Sequence, residues 1–263
     1  QPLYVLETAD VTIDEFELYQ SMGNSRAIQC LATLPGYVPR FALRNSVVRG
    51  NTTAAGPHTM PAIDLDNCQA LIAGNVIGLS QQLEGSDMTA PAHSLGLRIA
   101  NDASFPGASF VIENNVIAGN WDVGVDLYRV ASPGVSFRFN TVAGNGRRGV
   151  SGAIHCPSFV PVNIGYSIVT GNAKGAQFQD AAQCRFKQVV VGQSETLSAA
   201  GLIHADAVLG DSFELLPDAA NNDCCIDKAQ PVMDETFPTL DLRRNPRPQG
   251  PGWDLGAYEL SGR

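Results

Sequence analysis

Basic side chains are scarce in this chain. Seventeen Lys and Arg stand against 26 Asp and Glu, a formal net charge of −9. That balance excludes the basic footprint nucleic acid phosphates demand and disfavours an anionic membrane surface. Long apolar runs are missing too, so no segment reads as a membrane span. There is no basic n-region followed by an apolar h-region, and any export signal is expected to have been removed or to lie outside the sequence. Charged residues are only 16% of 263 positions and aromatics 7%, a poor composition for a helical bundle. No Cys-x-x-Cys pair occurs, which argues against a zinc ribbon or thioredoxin-like site. H-E-x-x-H, G-x-S-x-G, the P-loop and the Rossmann glycine fingerprint are absent.

What the chain does have is glycine, asparagine-rich turns and an internal repeat. The segment Phe110 to Asn120, FVIENNVIAGN, has relatives ending at Ser21, Asn51, Ser80, Asn145 and Asn172, so successive copies end 30, 29, 40, 25 and 27 residues apart. Each copy is followed by a second strand-like segment, among them AIQC near residue 27, AIDLDN near 62, GLRIAND near 96 and GVDLYRV near 124. A period of this size with short strands predicts an all-β, right-handed parallel β-helix of about six coils, with two strands per coil. Stacked coils lie about 4.8 Å apart, so identical positions form ladders. Val111, Ile112, Val116 and Ile117 share rows with Leu71, Ile72, Val76 and Ile77 and are expected to fill the core. One polar row runs Ser46, Asn75, Asn115, Asn140, Ser167, and another Ser21, Asn51, Ser80, Asn120, Asn145, Asn172. Asparagine tolerates left-handed backbone, and its amide bonds to the rung above and below. Asn51-Thr52-Thr53 is a glycosylation acceptor only in a eukaryotic host.

The 40-residue interval holds an irregular polar stretch, 79–93, expected to be a loop thrown out from one coil on the binding face. The body is read as residues 1–192 and the rest, 193–263, as a segment capping the open end of the core, where apolar side chains and strand edges would otherwise be bare. Arg244 or Arg247 against Asp241 or Asp254 are the expected cap salt bridges.

This tail carries Asp241-Leu242-Arg243-Arg244-Asn245-Pro246-Arg247-Pro248 and Asp254-Leu255-Gly256-Ala257-Tyr258-Glu259. In these motifs it resembles the closing segment of bacterial extracellular parallel β-helix repeat proteins of the choice-of-anchor Q type. Asp223-Cys224-Cys225-Ile226-Asp227 stands where that family has a Ser-Pro-Ala-Ile-Asp-like stretch. The resemblance covers about 60 tail residues plus the repeat; it implies architecture and a bacterial extracellular setting, and is nearly silent on chemistry.

Six cysteines, at 30, 68, 156, 184, 224 and 225, fit an oxidising compartment; buried free thiols in a reducing one are the alternative. Adjacent coils bring Cys30 beside Cys68 and relate Cys156 to Cys184 similarly, which predicts those two disulfides. Cys224 and Cys225 are left as a vicinal bond or two free thiols.

Alternation along the second strand gives a candidate site. With Ile63, Leu65, Leu97, Ile99, Val125 and Leu127 inward, Asp64, Arg98 and Asp126 form one outward row. Asp66, Tyr128 and His155 form the row beside it, and Asn101, Asp102 and Arg129 follow at the strand ends as substrate-binding candidates. Asp64 and Asp126, two rungs and about 9.6 Å apart, suit the acid and base of an inverting glycoside hydrolase. A lyase would use Arg98, Tyr128 or His155 as base, with the carboxylates holding Ca²⁺. No cofactor is otherwise implied. His58, His93 and His204 show no metal-ligand spacing. The expected partner is a polysaccharide or cell-surface glycan bound by a secreted monomer, and many β-helices act on polysaccharides, an argument by analogy. The alternative is a structural or adhesive surface module, in which Arg98 bridges Asp64 and Asp126 as an ion-pair ladder.

Overall fold

A computed structural model describes residues 3–6, 9–19, 26–49, 60–78, 94–120, 122–131, 134–146, 152–172, 177–230 and 235–260. Three parallel sheets share the chain, and each turn of it adds one strand to each in fixed order. Sheet A stacks Leu3–Leu6, Ile28–Leu31, Met60–Asp66, Ser94–Asn101, Val125–Val130, Ile154–His155 and Phe178–Gln179. Sheet B stacks Asp10–Asp14, Arg40–Arg44, Gln69–Ala73, Ser109–Glu113, Val135–Arg138, Val162–Gly165 and Cys184–Lys187. Sheet C runs Glu17–Tyr19, Val47–Arg49, Val76–Gly78, Val116–Ala118, Thr141–Ala143, Ile168–Thr170 and Val189–Val191, then Leu202–His204. This is the parallel β-helix expected, with two corrections of detail.

First, a coil has three strands rather than two. The run FVIENNVIAGN is two strands, one in sheet B and one in sheet C, joined by a bend in which Asn114 is left-handed at φ 55°. The same bend position is left-handed on every turn: Glu15, Asn45, Gly74, Asn114, Phe139, Tyr166 and Gln188. Phe and Tyr give no turn signal, since bulky residues rarely adopt this conformation. Second, seven turns stack, not six. The seventh copy of the repeat, CRFKQVVVG, has Gln188 and Val189 in place of the asparagine pair and so escapes the pattern.

The core is the inward set of all three sheets, among them Ile63, Leu97, Ile112, Ile117, Phe137 and Val142, each at most 1% exposed. Of the rows expected to fill it, Ile72, Ile77, Ile112 and Ile117 do so. Val111 and Leu71 point outward on sheet B, half-buried, and Val116 and Val76 point outward on sheet C into a separate cluster with Ala257 and Tyr258. The first polar row is internal as expected. Backbone N–H and Nδ2 of Asn75 both donate to Oδ1 of Asn115, and those of Asn115 both donate to Oδ1 of Asn140. Asn140 in turn donates its N–H to Oγ of Ser167. Asn120, Asn145 and Asn172 continue the second row; Ser21, Asn51 and Ser80 lie outside the described residues, as does the loop 79–93.

The tail caps, but only with its first part. Glu195 accepts the N–H groups of Gln177 and Phe178 at the last sheet A edge, and Leu197 packs on the main core. Residues beyond 204 then turn back along the outside of sheet C, whose outer row Val116, Thr141, Ile168 and Val190 is apolar but for Thr141. Leu215, Cys225, Ile226 and Leu255 cover Ile168 and Val190. The left-handed corner row serves as the rail for this strap. Glu15 pairs with Arg244, Asn114 holds the carbonyl of Leu240 and Nη1 of Arg247, Phe139 and Tyr166 pack on Phe237, and Gln188 bonds the backbones of Lys228 and Gln230. Arg244 therefore pairs with Glu15 and Arg247 with Glu259, not with Asp241 or Asp254.

Cys156 and Cys184 are joined as expected, and Cys224 and Cys225 form the vicinal bond. Cys30 and Cys68 are both free, contrary to the expected bridge. Cys30 pairs across the sheet with Leu65, three residues before Cys68. Burial, reinforced by the Cys30 thiol, pushes the Cys68 thiol well above its usual range, so Cys68 remains a protonated core residue.

Candidate functional site

Sheet A carries the side chains singled out above. Its register places Gln29, Asp64, Arg98, Asp126, His155 and Gln179 opposite one another on six successive rungs. His155 thus belongs to the Asp64 row, not beside Asp66 and Tyr128. A two-residue strand alternates in too few positions to reveal its register; Ile154 pairs with Val125 rather than Leu127.

This row is an alternating charge ladder. Asp64 points outward yet is fully covered, because Arg26 and Arg98 both fold onto it, Arg98 Nη1 at 2.9 Å from Oδ1. It has no surface to offer a glycosidic oxygen. His155 bridges two carboxylates, Nδ1 at 3.0 Å from Asp126 and Nε2 at 2.9 Å from Asp180. The bond to Asp126 raises the imidazole pKa against the opposing effect of burial, and Asp180 adds to the rise. Stability from this bridge is complete below the ordinary histidine range, near 6.5, and is lost as pH rises through the raised value. His155→Gln is therefore expected to flatten the fall of melting temperature between about pH 6 and 8; an unchanged slope would show that the bridge is solvated.

The neighbouring residues have contacts of their own. Burial pushes the Asp66 carboxyl up. The Tyr128 ring lies between two guanidinium groups, 4.9 Å from Arg98 and 5.1 Å from Arg129. Asn101 is buried and its Oδ1 accepts the N–H of Ala131. Asp102 is exposed and accepts two bonds from Ser104, which hold its carboxyl below the usual range. Among the described residues no group of three or more His, Cys, Asp or Glu is placed to hold a metal ion.

Among the described residues, two hollows lie on sheet B, where alternation along the repeat was legible but no catalytic residue type drew notice. Its outward central row is Ala42, Leu71, Val111, Ser136, Asn163 and Arg185. The row nearest the tail is Arg44, Ala73, Glu113, Arg138, Gly165 and Lys187. The strap segment from Glu235 to Arg244 stands beside this second row as a wall. Arg138 Nη1 reaches the carbonyl of Thr236 at 2.6 Å, and Lys187 Nζ reaches Glu235 at 2.7 Å. Two hollows result, about 480 Å³ along Arg44 to Arg138 and about 530 Å³ from Arg138 to Lys187. They share Arg138, whose bonds to Glu113 and Thr236 cross between them, and lie end to end as a broken channel along the stacking direction.

No protein-family model matches this chain, nor does any curated protein or solved structure.

Proposed function

We propose that this is a secreted protein that binds an extended polysaccharide along the sheet B channel, with the charged row of sheet A serving the fold. The observation that carries this reading is the channel's shape. Its two hollows in line follow rungs two to seven, about 24 Å at the spacing of stacked strands, on a sheet floor with the strap as one wall. That form suits a linear chain better than a compact small molecule. Two disulfides in a chain of this size support an oxidising compartment. The satisfied pairs of sheet A support a structural part for Asp64, Arg98 and Asp126, because charges already neutralised by one another have little left to give a ligand.

Binding to a panel of neutral and acidic oligosaccharides tests the reading by calorimetry. Asn163→Trp, which fills the channel floor, is expected to weaken binding at least tenfold, and Arg129→Glu, on the exposed end of sheet A, to leave it unchanged. The reverse pattern would move the site to sheet A. Binding of no glycan at all would favour a structural or adhesive surface module.

A further inference from the structure

We infer that the wide end of the channel holds a subsite for an acidic group, a sugar carboxylate or sulfate, seated in a notch above Gly165. This rests on the channel being the glycan site. Three cations, Arg138, Arg185 and Lys187, line the 530 Å³ hollow against a single carboxylate, Glu235. In a chain of net charge −9 such a local excess would draw an anion inward rather than repel it.

The three cations differ in their commitments. Arg138 spends Nε and Nη2 on Glu113, and Lys187 sits on Glu235. The other Glu235 oxygen accepts the Tyr166 hydroxyl at 2.6 Å, so both oxygens of that carboxylate are engaged with the sheet side of the hollow. Arg185 makes no ion pair among the described residues. Its Nη1 donates to the carbonyls of Ala182 and Cys184, which orients the guanidinium and leaves its charge uncompensated. Ser136 and Asn163 precede Arg185 in the same row, one rung apart each, and offer hydroxyl and amide groups beside it.

Gly165 makes the notch. It occupies the row between Arg138 and Lys187, so two cationic side chains flank a position with none. The fold does not require glycine there. Its φ lies outside the left-handed region, and an added Cβ would meet only Lys187, at 3.7 Å from the carbonyl oxygen and 4.0 Å from Cβ, ordinary contact distances. Gly165 is buried between its flanking side chains, so the notch is narrow. With no conformational or steric reason for the missing side chain, it is read as room for a small anionic group beside the Arg185 guanidinium, the Asn163 amide and the Ser136 hydroxyl of the adjacent row.

The test compares three oligosaccharides of equal length, one bearing uronic carboxylates, one sulfated and one neutral, against wild type, Gly165→Leu and Arg185→Glu. Wild type is expected to bind one of the acidic chains at least tenfold more tightly than the neutral chain, with an advantage that shrinks as salt is raised. The carboxylated and sulfated arms tell which group is seated. Gly165→Leu is expected to abolish that advantage, and Arg185→Glu, at an exposed position, to invert it while keeping the wild-type melting temperature. Equal affinity for acidic and neutral chains, or a Gly165→Leu protein that keeps its preference, would overturn the subsite and leave the channel standing. Failure of all three chains to bind would overturn both.

Discussion

Replacing Arg247 by methionine is expected to lower the unfolding free energy by about 3–5 kcal/mol, the range for removing one partner of a buried ion pair. Arg247 has a fully covered side chain, 3.0 Å from an equally buried Glu259. Its other nitrogens hold Asn114 and the carbonyls of Gly256 and Tyr258, and the guanidinium lies 5.0 Å from the Phe139 ring centroid. Methionine fills similar volume and carries none of these donors. Glu259, Asp241 and Asp254 would then share a dry site without a counter-charge.

Burial already pushes the Glu259 carboxyl up to about 7 in the presence of Arg247. An acid whose pKa is raised on folding binds its proton more tightly in the native state, so stability falls as pH rises from the ordinary 4.5 through about 7. Loss of the arginine steepens that fall. The variant should therefore be hurt more at pH 8 than at pH 5.5 in urea titrations. A cost below about 1 kcal/mol, the worth of a solvated pair, at both pH values would mean that the cluster is open to water.

The second large effect is expected inside the stack, where Asn115→Leu removes a rung of the polar ladder. Its Oδ1 accepts two donors from Asn75, and its Nδ2 donates to the carbonyls of Ile72 and Glu113. Each buried group left unsatisfied costs about 1–3 kcal/mol, so the variant should reach or exceed the top of that range. Asn75→Leu should behave alike, and the double variant should cost less than the sum, because the two positions share partners. Thermal denaturation of the three proteins checks this; full additivity would mean that the rungs are satisfied independently.

The stacking was legible because ladders repeat residue types: isoleucine at 72 and 112, asparagine at 75, 115 and 140. The strand count was not, because the sheet B to sheet C bend occupies two residues inside an apolar run and holds Phe139 and Tyr166 on two turns. Periodicity marked Val116 and Val76 as buried without saying on which side, since a strand between core and strap is apolar on both faces. At the candidate site, alternation found the outward residues of sheet A, and pairing with Arg26, which lies before a strand, decided that Asp64 was covered. The sheet B channel escaped because its wall comes from residues 235–244, over 40 positions beyond the last strand of that sheet. The coil register did bring Cys30 beside Cys68, close enough for one thiol to bond to the other, but the two stay unbridged, which spacing in the stack does not decide.

The Arg244 to Glu15 contact joins residues 229 apart in sequence, and its consequence lies in how the chain comes to fold. A solenoid whose rungs touch only their neighbours can form piecemeal, from any starting point. Here the strip of chain that lies along the rungs is made after all of them. Until it arrives, the outer row of sheet C is a bare apolar stripe on an otherwise assembled stack, the kind of surface through which nascent chains stick to one another. Late docking of the strap would then convert a one-dimensional array into a single cooperative unit, and the interval before docking is when a chaperone would be needed.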